Sequence, residues 1–432
     1  MADDLISNEP DGAPRIVTLD VLRGVAILGI LFMNIDSMGA SFSYPDIRHL
    51  GWSAADRMAW WARQILADGT ARCLLEMLFG AGMVILTDRI AQRAGRWMVM
   101  RRYYRRNLVL AAFGLIHMVV LLWPGDILHT YGLAAMIVFL FRRLPPRWLI
   151  AIGLIGATGQ VVGVSQGLYK YHQLSSAAAA ATARRDAGQQ LGPADREAIE
   201  SFRQRVVKRA RARADTARAV ALEDQERSST VARWMVAAWK KSIERLGIDE
   251  LFAIWEAAGT MLIGAALFRL GILQGERRPG FYARMAAIGY ALAGGYRAAG
   301  AYAMTRFDDQ PQWHWLADEF ARIGMTLGHV GLLCLLLGTR AGGRILRPFA
   351  AAGRTALTIY VLQSIICVWM LFPPQGLALY GKLSWMPLML TAVAIDAMLL
   401  ALAAWYLRRF RIAPVEWAWR SIVDGRRLPL RR

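Results

Sequence analysis

Two apolar runs joined by a very short connection constrain this 432-residue chain more than any other feature. They occupy residues 107–141, and only Trp-Pro-Gly-Asp at 123–126 separates them. Each run has about 15–17 residues, close to the length that an α-helix needs to cross the hydrocarbon core of a bilayer. Because proline and glycine favour a turn, the segment predicts a tight helical hairpin inside a membrane.

Three ionisable residues lie within this hairpin. His117 is about ten residues into the first helix, roughly 15 Å from its start at 1.5 Å per residue. Asp126 lies at the turn, and His129 follows about one helical turn later. A titratable side chain among apolar residues is costly and often marks a functional site or a pathway. We therefore treat the three as candidate site residues; the alternative is that His117 only hydrogen-bonds to a neighbouring helix.

Composition and charge define the class of protein. The chain is 56% hydrophobic and its mean hydropathy is +0.30, values that fit a polytopic membrane protein. Its formal net charge is +20, from 52 Lys and Arg against 32 Asp and Glu. In a soluble protein this charge would suggest nucleic acid. Here the arginines cluster between apolar runs, as they do in cytoplasmic loops, so we expect no nucleic-acid partner.

The apolar runs predict an all-α polytopic bundle of about ten transmembrane helices. Arginine-rich connections alternate with acidic or polar ones, and residues 88–106 alone hold seven arginines, which predicts a cytoplasmic loop there. By the same rule both termini are expected in the cytoplasm. The predicted helices cover approximately residues 16–38, 65–87, 107–122, 127–141, 148–170, 250–270, 281–304, 320–338, 348–372 and 385–407.

Changes in composition predict five regions. The polar, acidic residues 1–14 are expected to be disordered, and 413–432 form a basic cytoplasmic tail. Two transmembrane halves, 15–171 and 246–412, flank a charged region over 172–245 with 15 Lys and Arg and 9 Asp and Glu. We interpret 172–245 as a helical extracytoplasmic insert, since loops of this length escape the charge rule. It is either a solvated spacer or a lid over the outer face.

Several common catalytic patterns are absent from the sequence. It has no GxxxxGK[ST], HExxH or GxSxG pattern and no His/Cys/Asp cluster at zinc spacing. Its three cysteines, Cys73, Cys334 and Cys367, lie in apolar stretches and are expected as buried thiols. We therefore expect no metal and no permanently bound cofactor.

Other polar residues at membrane depth complete the candidate set. Asp20 and Arg23 are three residues apart and share a face of the first helix, and Asn34 lies near its other end. Glu76 is expected to turn inward, because a lipid-facing carboxylate would be expensive. The remaining candidates are His49 and Arg354.

Ordered motifs at both ends of the chain resemble a known family. They are RIVTLDVLRGVAILGILFMNI at 15–35, LFGAG at 78–82, GLIHMVVLLWPGDILHTYG at 114–132, GRTALTIYVLQSII at 353–366 and APVEWAWR at 413–420. These segments resemble the YeiB-like bacterial inner-membrane proteins, which carry a C-terminal domain of unknown function. The resemblance implies a multi-pass protein of the bacterial inner membrane, but it does not supply an activity.

A more distant resemblance is to the transmembrane acyltransferase superfamily, which includes heparan-α-glucosaminide N-acetyltransferase. Those enzymes begin with an Asp-x-x-Arg-Gly helix, which Asp20, Arg23 and Gly24 match, and the heparan branch also has the equivalent of Asn34. In that branch the catalytic histidine lies in the following loop, to which His49-Leu50-Gly51-Trp52 is similar, although its spacing from Asn34 differs. The resemblance implies transfer of an acyl group from cytoplasmic acyl-CoA across the membrane.

Three functional hypotheses follow. In the first, a membrane acyltransferase uses His49 or His117 as general base, Asp126 to orient an imidazole, and Arg23 or Asn34 to stabilise the oxyanion. Acyl-CoA phosphates would bind Arg101, Arg102, Arg105 and Arg106, and the residues expected near substrate are Asp20, Arg23, Asn34, Glu76, His129 and Arg354.

The second hypothesis is a transporter or flippase in which His117, Glu76 and Asp126 relay protons or substrate. The third is a non-catalytic scaffold whose polar residues only join helices. The expected partners are the lipid bilayer and, for the enzyme, acyl-CoA and a sugar or lipid acceptor. Assembly into a homo-oligomer is left open.

Overall fold

The computed structural model describes residues 6–8, 14–42, 46–92, 95–307 and 312–431. Most of these residues are helical, and β1 (Ile6–Asn8) pairs antiparallel with β2 (Pro14–Ile16) before the first helix. The rest of the segment 1–14, which the sequence predicts to be disordered, lies outside the described residues.

Seventeen α-helices follow in the described part of the chain. They are α1 (Val17–Gly39), α2 (Ala54–Ala62), α3 (Thr70–Ala91), α4 (Arg96–Val119), α5 (Leu128–Val138), α6 (Pro146–Gly153), α7 (Ile155–Asp186), α8 (Pro193–Ser228), α9 (Val231–Arg245), α10 (Ile248–Arg269), α11 (Pro279–Ile288), α12 (Gly295–Thr305), α13 (Asp318–Leu337), α14 (Arg340–Arg354), α15 (Ala356–Ser364), α16 (Trp385–Arg409) and α17 (Pro414–Asp424). Three π-helical segments interrupt or extend them, at Arg63–Ala67, Gly289–Gly294 and Ile365–Leu371.

Six helical stretches are long and apolar enough to cross a membrane, so the protein is a helical, multi-pass membrane protein. They are Val17–Gly39, Ala54–Ala91, Pro146–Asp186, Ile248–Arg269, Asp318–Leu337 and Trp385–Arg409. A seventh is obtained if Arg340–Arg354 and Ala356–Leu371, bent by 77° at their junction, count as one span. The predicted fold class is confirmed at this level, whereas the number ten is not.

The predicted loop 88–106 is wrong in extent. The helix α3 continues to Ala91 and α4 begins at Arg96, so the arginines from Arg101 onward lie on a helix. Arginine has a high helix propensity, and α4 extends beyond its apolar part. The helix α4 ends at Val119, so His117 lies in its last turn, and not in the middle of a helix that starts at residue 107.

The region 172–245 begins inside a continuous helix. The helix α7 contains the start of this region without a break, and α8 and α9 return the chain to the membrane helices. At the end of α9, the Ser242 hydroxyl donates a hydrogen bond to the Met118 carbonyl oxygen at 3.1 Å. The Trp234 ring packs edge-on against Trp369 with their centroids 5.3 Å apart.

The end of α8 docks on the residues that follow α1. The Glu223 carboxylate accepts hydrogen bonds from the Ser41 hydroxyl at 2.7 Å and from the Phe42 amide at 3.1 Å. The Arg227 guanidinium donates to the Ala40 carbonyl oxygen at 2.9 Å. The end of the 172–245 region that carries these contacts is therefore docked on the bundle and is not a purely solvated spacer. We call the end of the bundle that it covers the insert side, and the opposite end, where α3 passes into α4, the arginine side.

Close backbone contacts at glycine fix two helix pairs in the bundle. A β-carbon at Gly80 of α3 would lie 1.8 Å from the Met261 carbonyl oxygen of α10, and one at Gly264 would lie 2.1 Å from that of Met77. The pair α1 and α14 shows the same approach, since a β-carbon at Gly24 would lie 1.9 Å from the Phe349 carbonyl oxygen. Small residues let membrane helices approach this closely.

We expect Gly80→Ala to destabilise the protein by about 1–3 kcal/mol, because the added methyl group overlaps the α10 backbone. The measurement is thermal unfolding in detergent. Gly82→Ala is the matched control, since a β-carbon at Gly82 meets nothing within 4 Å. Equal melting temperatures for the two variants would contradict this account of the α3–α10 contact.

Candidate functional site

A chain of buried hydrogen bonds joins three of the predicted site residues. The Asp126 carboxylate contacts His117 Nδ1 at 2.8 Å with one oxygen and His129 Nδ1 at 2.9 Å with the other. The same carboxylate accepts a hydrogen bond from the His129 amide at 3.0 Å, at the start of α5. The chain continues from His129 Nε2 to Glu250 of α10 at 3.1 Å. We call these four residues the histidine chain.

The histidine chain depends on the hairpin turn between α4 and α5. His117 is in the last turn of α4, and Asp126 lies two residues before the start of α5, so the turn brings its carboxylate between the two imidazoles. Close packing of the two helices is required, because a β-carbon at Gly114 would lie 2.2 Å from the His129 amide nitrogen. The tight hairpin read from the sequence therefore positions this site.

One imidazole nitrogen of the histidine chain has no hydrogen-bond partner among the described residues. His117 is 2% exposed, and no described residue hydrogen-bonds its Nε2. The Tyr360 ring of α15 lies over the His117 imidazole with the centroids 4.9 Å apart, and the Tyr360 hydroxyl accepts a hydrogen bond from the Ile127 amide. An imidazole oriented by a carboxylate can take up and pass on a proton through its other nitrogen.

A second buried group links α3, α10 and α13. The Arg322 guanidinium lies 3.2 Å from Glu76 and 3.0 Å from Glu256, and its Nε donates to Glu319 at 2.9 Å. Arg72 also pairs with Glu256. We call these five residues the ion-pair network. Glu76 therefore turns inward, as the sequence predicts, but its neighbours are ion-pair partners and not the histidine chain.

The candidate His49 lies elsewhere, on the insert side. It belongs to the 3₁₀ turn Ile47–Leu50, and its Nε2 lies 3.1 Å from the Asp224 carboxylate of α8. The other oxygen of Asp224 accepts a hydrogen bond from the Tyr380 hydroxyl at 2.8 Å. The His49 side chain is 33% exposed, so this imidazole–carboxylate pair is reachable from solvent.

A large cavity borders the turn that carries His49. Its volume is about 1220 Å³, and α7, α8, the residues before His49 and the end of α12 surround it. A hydrogen bond from Arg48 lowers the pKa of Asp46 in its wall, and burial lowers the pKa of His314. The lining residues include Asp46, Arg48, Tyr169, His172, Arg213, Arg306, Trp313 and His314. This cavity can hold a ligand of considerable size.

Neither the cavity beside α7 and α8 nor a smaller one on the arginine side is lined by the four arginines expected to bind acyl-CoA phosphates. Arg102 pairs with Asp424 of α17 at 3.3 Å, and the Arg106 guanidinium stacks on the Trp419 ring of the same helix, 4.5 Å from its centroid. Arg101 and Arg105 are exposed on α4. A different cavity of about 530 Å³ lies on the arginine side, with the guanidinium-bearing residues Arg96, Arg142, Arg143 and Arg269 in its wall.

The candidates on α1 and α14 are spread along the bundle. Asp20 is buried and pairs with Arg23 at 3.3 Å in the first part of α1. Asn34 is half-buried about 21 Å further along the same helix, at 1.5 Å per residue. Arg354 is half-buried at the end of α14, next to the 77° bend. Neither cavity described above is lined by these residues or by the histidine chain.

Sequence reasoning missed two features of the membrane interior. Arg322 is buried in the ion-pair network, and its pairing with Glu319 three residues earlier is the signal that could have revealed it. Asp396 lies inside the apolar helix α16 and accepts a hydrogen bond from the Gln363 side chain at 3.0 Å. A single acid within a long apolar run was the available signal for this residue.

Comparisons with known proteins agree with the predicted family resemblance. The family described as a protein of unknown function (DUF418) matches residues 267–426. The chain is 28% identical over 417 residues to the uncharacterized protein YxaH of Bacillus subtilis, and the match covers 94% of each chain. It is also 28% identical over 433 residues to the uncharacterized protein YeiB of Escherichia coli, over 94% of this chain and 96% of that one.

We expect Arg322→Gln to lower the stability of the protein by about 3–5 kcal/mol, because it leaves buried carboxylates without their cation. Thermal or denaturant unfolding in detergent measures the loss. Arg284→Gln, at an exposed position on α11, serves as the control and should unfold like the parent protein. An Arg322 variant as stable as this control would show that the ion-pair network does not hold α13 against α3 and α10.

Proposed function

We propose that this protein is a membrane acyltransferase. The premise is that the chain belongs to the YeiB-like family of multi-pass membrane proteins. The observation that carries the proposal is the His49–Asp224 pair, an exposed imidazole held by a carboxylate, on the same turn as Ile47 and Arg48, which line a cavity of about 1220 Å³. General-base catalysis needs such a pair within reach of a bound substrate. The distant resemblance of the His49 loop to that of acyltransferases supports the same assignment.

In the proposed reaction, His49 acts as the general base toward an acceptor that is bound in the cavity of about 1220 Å³ on the insert side. Its imidazole removes the proton from an acceptor hydroxyl or amine, and Asp224 stabilises the resulting imidazolium. The acceptor atom then forms a bond to the acyl carbonyl carbon of acyl-CoA, and the carbon–sulfur bond breaks. The CoA thiolate leaves and takes up the proton. The thioester is therefore consumed, and the acceptor carries the acyl group.

The donor would bind at the opposite end of the protein. The arginine-side cavity offers guanidinium groups, which suit the phosphates of CoA better than the exposed Arg101 and Arg105 do. We place this end in the cytoplasm of the bacterial inner membrane, with ten crossings and both termini on that side. Arg96 and His117 mark the two ends of α4, about 31 Å apart. The acyl arm must therefore pass between helices that are closely packed in this structure.

A second candidate function rests on the histidine chain. Four titratable side chains on α4, α10 and the α4–α5 hairpin form continuous hydrogen bonds, although neither cavity reaches them. Buried chains of this kind carry protons in pumps and transporters. In this alternative the protein moves protons or a substrate across the membrane, and His117 Nε2 is the end of the relay.

For acyl transfer, we expect purified protein in detergent to consume acyl-CoA when an acceptor is present. His49→Gln should lower the rate by about 100-fold or more, since a positioned base contributes about 100-fold to 10,000-fold. Asp224→Asn should lower it as well. Asp215→Asn is the matched control, because Asp215 is exposed on the same helix and pairs only locally with Arg218. A His49→Gln enzyme with full activity would remove His49 as the base.

For proton transfer, we expect protein in sealed liposomes to dissipate an imposed pH gradient, measured with an internal pH-sensitive dye. Asp126→Asn should abolish this activity, because the amide cannot bridge two imidazoles as a carboxylate does. The His49→Gln variant is the control and should conduct normally. Two results together would reject transport and favour the enzyme. They are turnover of acyl-CoA by detergent-solubilised protein and an unchanged pH gradient in the liposomes.

A further inference from the structure

A polar group that neither proposed function uses lies in the interior of the last membrane-spanning helix. Asp396 is the twelfth of the 25 residues of α16 and is 7% exposed. The Gln363 amide group donates to one oxygen of the Asp396 carboxyl at 3.0 Å and to the Ile27 carbonyl oxygen of α1 at 3.3 Å. The pair therefore joins α1, α15 and α16 at membrane depth.

Two oxygens of this pair are buried without a partner among the described residues. They are the second carboxyl oxygen of Asp396, Oδ2, and the amide oxygen of Gln363, Oε1. Both accept hydrogen bonds when Asp396 is ionised, so neither can satisfy the other. Burying an ionised carboxylate without a cation is far more costly than burying the neutral acid. No salt bridge joins Asp396 to a described residue of the chain.

One proton on Asp396 removes both deficits. The protonated carboxyl group has an O–H donor at Oδ2, and the Gln363 amide oxygen is the acceptor available on its partner. An O–H bond to Gln363 Oε1 would add to the hydrogen bond that already joins Gln363 Nε2 to Oδ1 and make the acid and the amide a two-bond pair. The Cys367 thiol, in the π-helical segment after α15, is the other titratable group that faces Asp396.

The surrounding backbone departs from a regular α-helix. Gln363 lies at the end of α15, where the helix passes into the π-helical segment Ile365–Leu371. π-Helical segments occur frequently at functional sites, and broken membrane helices often form the binding sites of transporters. On the same helix, three residues before Gln363, Tyr360 packs on His117. The helix α15 thus contacts both Asp396 and the histidine chain.

We infer that Asp396 and Gln363 form a proton-binding site inside the membrane, at which one proton binds and is released when α15 moves. The site is distinct from the histidine chain and from His49, since it shares no residue with either. It goes beyond both proposed functions, because it holds a proton whether the protein is an enzyme or a transporter.

Infrared difference spectroscopy on the full-length protein in lipid tests this inference. We expect a carbonyl band of a protonated carboxylic acid at neutral pH that shifts in D₂O and disappears reversibly as the pH is raised. Asp396→Asn should remove the band while preserving the fold, because the amide has the shape of the neutral acid and can still donate to Gln363. Gln363→Leu should keep the band but move it to higher frequency, since both hydrogen bonds of the carboxyl group to Gln363 are lost.

Glu76→Gln is the matched control. Glu76 is as deeply buried as Asp396 but is paired with Arg322, so this variant should leave the protonated-acid band unchanged. The inference is overturned if Asp396→Asn removes only carboxylate bands, or if the acid band never exchanges with D₂O. It is also overturned if sodium chloride abolishes the band at constant pH, because the site would then bind sodium. An Asp396→Asn protein that melts like the parent excludes unfolding as the cause.

Discussion

The structure depends on one constraint: a polar side chain in the apolar interior has to find its partner within the protein. Water is not present in the hydrocarbon region to satisfy it, and an unpaired charge there is expensive. Arg322 meets this constraint by binding carboxylates from α3, α10 and its own helix at once. The polar residues therefore act as fixed connections between helices, and the glycine contacts bring the helices close enough to make them.

Much of this arrangement can be predicted from the sequence, where the signal is local. The short Trp-Pro-Gly-Asp connection predicts the hairpin, and the hairpin brings His117, Asp126 and His129 together. Their roles stay predictions. The predicted start of α4 was wrong, because the charged residues before residue 107 were interpreted as a loop, although arginine favours helices. Partners from distant parts of the chain, such as Asp224 for His49, are not encoded in any local spacing.

The polar groups are divided among separate places and not gathered in one chamber. The His49–Asp224 pair is open to solvent on the insert side, the histidine chain is buried among the helices, and the guanidinium-lined cavity is at the other end. The sequence alone does not show this division, because the residues that surround each place come from distant parts of the chain. Accessibility is what separates them, and it is the reason why we propose substrate chemistry for His49 and proton binding for the buried groups.

The unbroken course of α7 has a mechanical consequence. Its 32 residues extend for about 48 Å as one rod, with one end among the membrane helices and the other in the region that wraps the cavity. A tilt of a few degrees at the membrane end becomes a displacement of several ångströms at the far tip. A rotation of α7 about its membrane end would therefore also move the part of the cavity wall that α7 supplies, because the helix is unbroken between the two.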